Sequence, residues 1–154
     1  MKQRIYIDTS IVGGFFDKEF ATETKALFER LKNKEVVFVL SSVLEQELSS
    51  APQHVKKLLD EYDENCFERV LLSQEAIDLA NCYIAENVVG KTCTDDCRHI
   101  AIATLHKVDV LASWNFKHIV NLDKIKGYNS VNMKKGYAVI EIRNPKELIN
   151  YGNE

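Results

Sequence analysis

The sequence predicts an α/β protein, a mainly parallel sheet with helices on both faces. Two observations carry this. Short apolar, β-branched runs recur along the chain, and a stretch with helical spacing or a capping residue separates most of them. Composition agrees: 45% hydrophobic and 28% charged residues, with only two prolines and six glycines, suit a globular chain without linkers or low-complexity tracts. At 154 residues a single domain spanning 1–154 is expected.

Taken in order, RIYI (4–7) reads as a buried strand, and Asp8-Thr9-Ser10 with Gly13-Gly14 reads as a loop. Ala21, Leu27, Phe28 and Leu31 form the stripe of a helix over about 20–33. VVFVL (36–40) is a second strand, and Ser41 or Ser42 caps the helix after it. Pro52 opens another helix whose face carries Val55, Leu58, Leu59 and Tyr62. FERVLL (67–72) is an edge strand or a connection, and Ser73 caps a helix running to about 88. Thr94 or Asp95 caps a helix with Ile100, Ala101, Ala103 and Leu105. VDVLAS (108–113) and AVIEI (138–142) are the last strands, and Asn144-Pro145 starts a closing helix.

The amino terminus is interrupted by Asp8 and two glycines and reads as neither a signal peptide nor a membrane span, so a cytoplasmic protein is expected. Cys66, Cys82, Cys93 and Cys97 are then free thiols. The spacing Cys93-x3-Cys97-x-His99 does not match zinc patterns. Net charge is −3 but unevenly spread: residues 1–97 carry −7, residues 98–135 carry +5 and residues 136–154 carry −1. Lys107, Lys117, Lys124, Lys126, Lys134 and Lys135 lie in the basic segment, which can steer a polyanion or merely be solvated surface.

In parallel sheets ligands bind at the carboxyl ends of the strands. Asp8 follows the first strand there, and Asn115 follows VDVLAS. Asp95 and Asp96 begin a helix, and Glu45 and Glu47 lie on the helix after the second strand. Clustered carboxylates repel unless a cation joins them, and hard oxygen donors suit Mg²⁺ or Mn²⁺. Glu45 and Glu47 are about 200° apart on a helix, so one faces the site and the other solvent. One of Asp95 and Asp96 is expected only to favour the helix dipole. His99 lies one turn after Asp96, where a core or supporting histidine is commoner than a ligand.

The segments IYIDTSIVGGFF, SSVLEQELSS, TDDCRHIAIATLHKVDVLASWNFKHI and GYAVIEIRNPKELI together resemble the PIN domain family, in particular the VapC-type toxin ribonucleases. The resemblance covers nearly the whole chain. It implies a three-layer α/β/α sandwich with strand order 3-2-1-4-5. It implies a Mg²⁺- or Mn²⁺-dependent endoribonuclease, with metal bound by Asp8, Glu47 and Asp96. Thr9, Ser10, Ser113 and His99 would line the substrate. The family often has a fourth acid after the fourth strand, where this chain has Asn115. Partners implied are an RNA substrate, an antitoxin protein and a second copy of the chain. The alternative is a PIN module without catalysis that binds RNA or a protein. An aspartyl phosphatase would want an acid at position 10, which is Ser10, and neither a serine-hydrolase elbow nor a P-loop is present.

Overall fold

The computed structural model describes residues 2–149. Five strands form one fully parallel sheet in the order β3-β2-β1-β4-β5, as expected: β1 (Gln3–Ile7), β2 (Val36–Ser41), β3 (Phe67–Val70), β4 (Val110–Ala112) and β5 (Ile142–Arg143). The central strand β1 pairs Ile5 with Phe38 on one side and with Val110 on the other. The chain therefore turns opposite ways on the two sides of β1. A crevice at the carboxyl edge is the usual result of such a reversal.

Strand alternation builds two cores. Ile5, Ile7, Phe38, Leu40, Val110 and Ala112 face one layer, formed with α1 (Thr9–Gly14), α2 (Ala21–Lys32), α3 (Ser42–Leu48) and α4 (Gln53–Lys56). Tyr6, Val39 and Leu111 face the other, packed on α5 (Gln74–Ala85), α6 (Thr94–Leu105) and α7 (Leu122–Lys134). Leu27, Phe28 and Leu31 of the predicted stripe are buried. Ser41 and Ser73 cap α3 and α5, each hydroxyl accepting from a backbone N–H three residues on, at 3.1 Å. All four cysteines are free thiols. No helix among the described residues is long and apolar enough to cross a membrane.

Several elements differ from the sequence reading. The expected loop after Asp8 is the short helix α1, with Gly13 and Gly14 inside it. A Cβ on Gly14 would stand 2.7 Å from Trp114 Cδ1 and 3.0 Å from Thr24 Oγ1, so this glycine admits the indole rather than breaking the helix. The expected helix from Pro52 to Tyr62 is split into α4 and a 3₁₀ turn, Leu58–Glu61. Helix α5 stops at Ala85, and Asn87 takes a positive φ of 60°. Cys93, not Thr94 or Asp95, is the residue before α6; the Thr94 hydroxyl donates to the Lys91 carbonyl instead. The strand expected over 138–142 shrinks to β5 at Ile142–Arg143, because the Asn129 amide of α7 takes both backbone groups of Ile140. The closing helix is one 3₁₀ turn, Pro145–Glu147, capped by Asn144. Helix α7 was not foreseen: its composition is polar, and it buries only Tyr128, Val131 and Asn132.

The two glycines of α1 make a matched test. Gly14→Ala is expected to cost about 1–3 kcal/mol through overpacking against Trp114. Gly13→Ala meets nothing within 4 Å and is expected to be neutral or to stabilise by roughly 0.5–1 kcal/mol. Urea unfolding of the two variants checks this, and equal midpoints would contradict the assigned packing.

Candidate active site at the carboxyl edge of the sheet

Because all strands are parallel, β1, β2 and β4 end on the same edge, and α6 begins there. Asp8 leaves β1 in extended conformation and is only 4% exposed. Its two carboxylate oxygens accept from Ser10 Oγ and Ser113 Oγ, each at 2.6 Å. Each hydroxyl oxygen in turn accepts a backbone N–H, from Trp114 at 2.8 Å and from Asn115 at 2.9 Å. The backbone donors leave the hydroxyl protons directed at Asp8, so the carboxylate is held on both sides. Burial pushes the Asp8 carboxyl above the usual range; nearby His99 and the two hydroxyls offset only part of this.

Glu47 reaches the edge from α3, and Glu45 does not: Glu45 is exposed and pairs with Arg69 at 2.5 Å. This is the division that helical spacing requires. Glu47 Oε1 accepts from Thr9 Oγ1 at 2.7 Å and lies 2.6 Å from His99 Nε2. Half-burial works to raise its carboxyl, but the His99 and Thr9 hydrogen bonds outweigh it and hold Glu47 below the usual range. A carboxylate only accepts, so Nε2 carries a proton, and the other ring nitrogen, Nδ1, lies 2.5 Å from the Tyr6 phenol oxygen. Tyr6 Oη also lies 2.8 Å from Ser41 Oγ, and burial holds the phenol protonated.

Asp96, in the first turn of α6, is half-buried, while Asp95 is exposed. Burial raises the Asp96 carboxyl; His99 and His118 pull it down, and Asp8 and Glu47 push it up. The three acids thus lie within electrostatic reach of one another. Asn115 Nδ2 donates to Asp96 Oδ2 at 3.3 Å, and its Oδ1 accepts the His118 backbone N–H at 2.9 Å. Asn115 therefore both touches the site and caps the turn into Phe116-Lys117-His118, with its oxygen committed to the cap.

Of the four side chains expected to line a substrate, Thr9 and Ser10 are half-buried, but Ser113 and His99 are buried. At 0% and 2% exposed, the latter two contact Asp8 and Glu47 from within the fold. Sequence reasoning missed Tyr6. The available signal was a tyrosine in an otherwise aliphatic strand, since a buried phenol needs a polar partner.

The donor chemistry fits a hard divalent cation. The three groups are carboxylates, burial opposes the charge on each and leaves Asp8 and Asp96 raised, and among the described residues none is paired with Lys or Arg. As the side chains lie, no three His, Cys, Asp or Glu groups among the described residues enclose an ion.

No protein-family model matches the chain, and no curated protein is similar to it. Solved structures are similar in fold. A chain of VapBC2 from Rickettsia felis, bound to a promoter DNA fragment, has a TM-score of 0.57 at 14% identity over 92% of this chain and 98% of that one. A chain of FitAcB from Neisseria gonorrhoeae gives the same values. A chain of FitAB bound to a DNA fragment gives 0.58 at 12% identity, over 96% and 99% of the two chains. At such identity the likeness concerns architecture alone: the protein has the PIN-like α/β/α fold of these chains.

Proposed function

We propose that the protein is a divalent-metal-dependent endoribonuclease with Asp8, Glu47 and Asp96 at its centre. The observation that supports this most is the convergence of three carboxylates from separate segments on one sheet edge, with burial raising two of them and no Lys or Arg to neutralise them. The three would hold Mg²⁺ or Mn²⁺ together with water, since Mg²⁺ keeps several of its waters in protein sites. Bound there, the ion supplies Lewis acidity to a phosphoryl oxygen and makes water a competent nucleophile near neutral pH.

The chain's own residues set the geometry. Ser10 and Ser113 fix both oxygens of Asp8, and His99 with Thr9 fixes one oxygen of Glu47, Oε1. With the carboxylates held in advance, little reorganisation is needed at the moment of reaction, which is how preorganised sites lower barriers. Cleavage of labelled RNA that requires Mg²⁺ or Mn²⁺ and stops with EDTA tests the reading. RNA binding without metal-dependent cleavage would favour the non-catalytic alternative.

Asn115→Asp probes the fourth position. The aspartate keeps the cap on His118 and places its other oxygen beside Asp96. Mn²⁺ affinity measured by calorimetry is expected to tighten several-fold, with lower stability in EDTA from the added like charge. Unchanged affinity and stoichiometry would remove Asn115 from the metal site.

The toxin role, with a homodimer and a small antitoxin covering the acidic edge, rests on the resemblance and on the fold shared with VapBC2 and FitAB chains. Sedimentation should show a dimer at tens of micromolar, and expression without an antitoxin should arrest growth. A monomer, or harmless expression, would count against the respective part.

A further inference from the structure

The segment that carries Ser113 and Asn115 also carries Trp114 and Phe116, which the metal site does not use. Trp114 is buried with Gly14 beneath it, and its indole N–H donates to Thr24 Oγ1 at 2.8 Å. Phe20 stacks on the indole at 4.3 Å between centroids and 21° between planes. The Phe116 ring lies 6.0 Å from Trp114 and 6.3 Å from Phe20, yet remains 46% exposed. The result is an exposed phenyl ring braced by two others.

Its surroundings carry a charge preference. Exposed Lys117 follows it directly, and half-buried His118 acts electrostatically on Asp96. Phe16, just after α1, is also exposed, but Asp17 and Glu19 flank Lys18 there, so of these two exposed rings Phe116 is the one with a basic neighbour and no acidic one beside it in sequence. Asn115, immediately before Phe116, touches Asp96. A polymer whose phosphate lies at the carboxylates would bring its neighbouring residue to this ring. Single-stranded nucleic acid alternates flat π-faces with phosphates, and aromatic rings beside cations are how proteins hold it without reading sequence.

We propose that Phe116 is a stacking platform for one nucleobase of single-stranded RNA, next to the cleavage site, with Lys117 facing the adjoining phosphate. This deepens the nuclease reading and rests on it for the identity of the polymer. The braced ring loses little freedom on binding, which favours a single bound geometry.

The test is fluorescence anisotropy with a labelled, mixed-sequence single-stranded oligoribonucleotide of about eight nucleotides, within the usual site size of such surfaces. It is run in EDTA so that no turnover intervenes. Phe116→Ala and Phe116→Leu are expected to weaken binding about tenfold, a typical loss for one stacked base. Phe116→Tyr and Phe116→Trp should bind within about twofold of the parent, since both keep a π-face. The leucine variant separates stacking from simple apolar contact. In the parent protein, fluorescence of the single tryptophan, Trp114, should respond to the oligonucleotide. Circular dichroism melts confirm that each variant is folded; the exposed position makes this the expected result. Equal binding by the parent, alanine and leucine proteins overturns the proposal and leaves the patch to a protein partner. A tyrosine variant as weak as the alanine one also overturns it. The two readings fail separately: metal-dependent cleavage with no effect at Phe116 removes the platform alone, and stacking without cleavage by the parent removes the nuclease alone.

Discussion

Asp8→Asn and Asp96→Asn are each expected to reduce metal-dependent RNA cleavage by roughly a hundred- to a thousandfold, corresponding to loss of several kcal/mol of transition-state stabilisation. Both changes are nearly isosteric. Asp8 is the more sensitive position, because both of its oxygens are held by hydroxyls whose own oxygens accept backbone N–H groups. An amide there keeps the shape but loses the charge and turns one acceptor into a donor. At Asp96 the Asn115 amide can still find an oxygen, so only the charge is lost. Glu45→Gln is the control: its partner is Arg69 on the exposed flank, and cleavage should match the parent. Full activity in both aspartate variants would remove the site assignment; loss of activity in Glu45→Gln would show that the measurement follows general charge.

Metal-linked stability gives the second large effect, and it needs no substrate. An ion that binds only the folded chain adds about 2.7 kcal/mol at a hundredfold excess over its Kd, or roughly 5–10 °C in Tm for a chain of this size. The parent should gain this with Mn²⁺ and lose it with EDTA, and Asp8→Asn should gain little. In EDTA at neutral pH, Asp8→Asn should be at least as stable as the parent. Its sign follows from linkage. Burial raises the Asp8 carboxyl in the folded state, so between the unfolded value and the raised folded value the folded chain holds the extra proton. Stability is therefore lost as pH rises through that window, and the ionised carboxylate burdens the fold above it. Asp96 behaves in the same direction. Glu47 opposes it: its carboxyl is lowered in the folded state, so its contribution is present above the unfolded value and is lost as pH falls through the folded one. The advantage of Asp8→Asn over the parent should accordingly grow as pH rises from about 4, near the unfolded aspartate value, and then level off. An advantage that shrinks with rising pH would show that Asp8 is not the buried, uncompensated charge described here.

Periodicity and punctuation made much of this architecture legible. RIYI and VVFVL are apolar on both faces because strands at the centre of a parallel sheet are covered on both sides, and the structure packs Ile5 and Tyr6 into opposite layers. Ser41 and Ser73 cap helices because their hydroxyls can satisfy an orphan N–H locally. The division between Glu45 and Glu47 follows from 3.6 residues per turn alone. The strand order was implied by family resemblance, since composition and spacing do not encode it.

What tertiary structure decided are the features fixed by partners distant in sequence. Gly13-Gly14 looks like a break, and becomes helix because Trp114, a hundred positions on, occupies the space that a side chain on Gly14 would need. AVIEI looks like a five-residue strand, and only Ile142 of it pairs, because Asn129 captures the backbone of Ile140. Helix α7 hides in a polar stretch because only Tyr128, Val131 and Asn132 are buried there. At the site the sequence supplied the acids, and the fold supplied what holds them. Ser113 reaches Asp8 across 105 positions and His99 reaches Glu47 across 52. Tyr6 steadies His99 across 93. Local pattern reports backbone conformation, whereas a hydrogen bond between remote side chains depends on strand order and register, which form only when the sheet assembles.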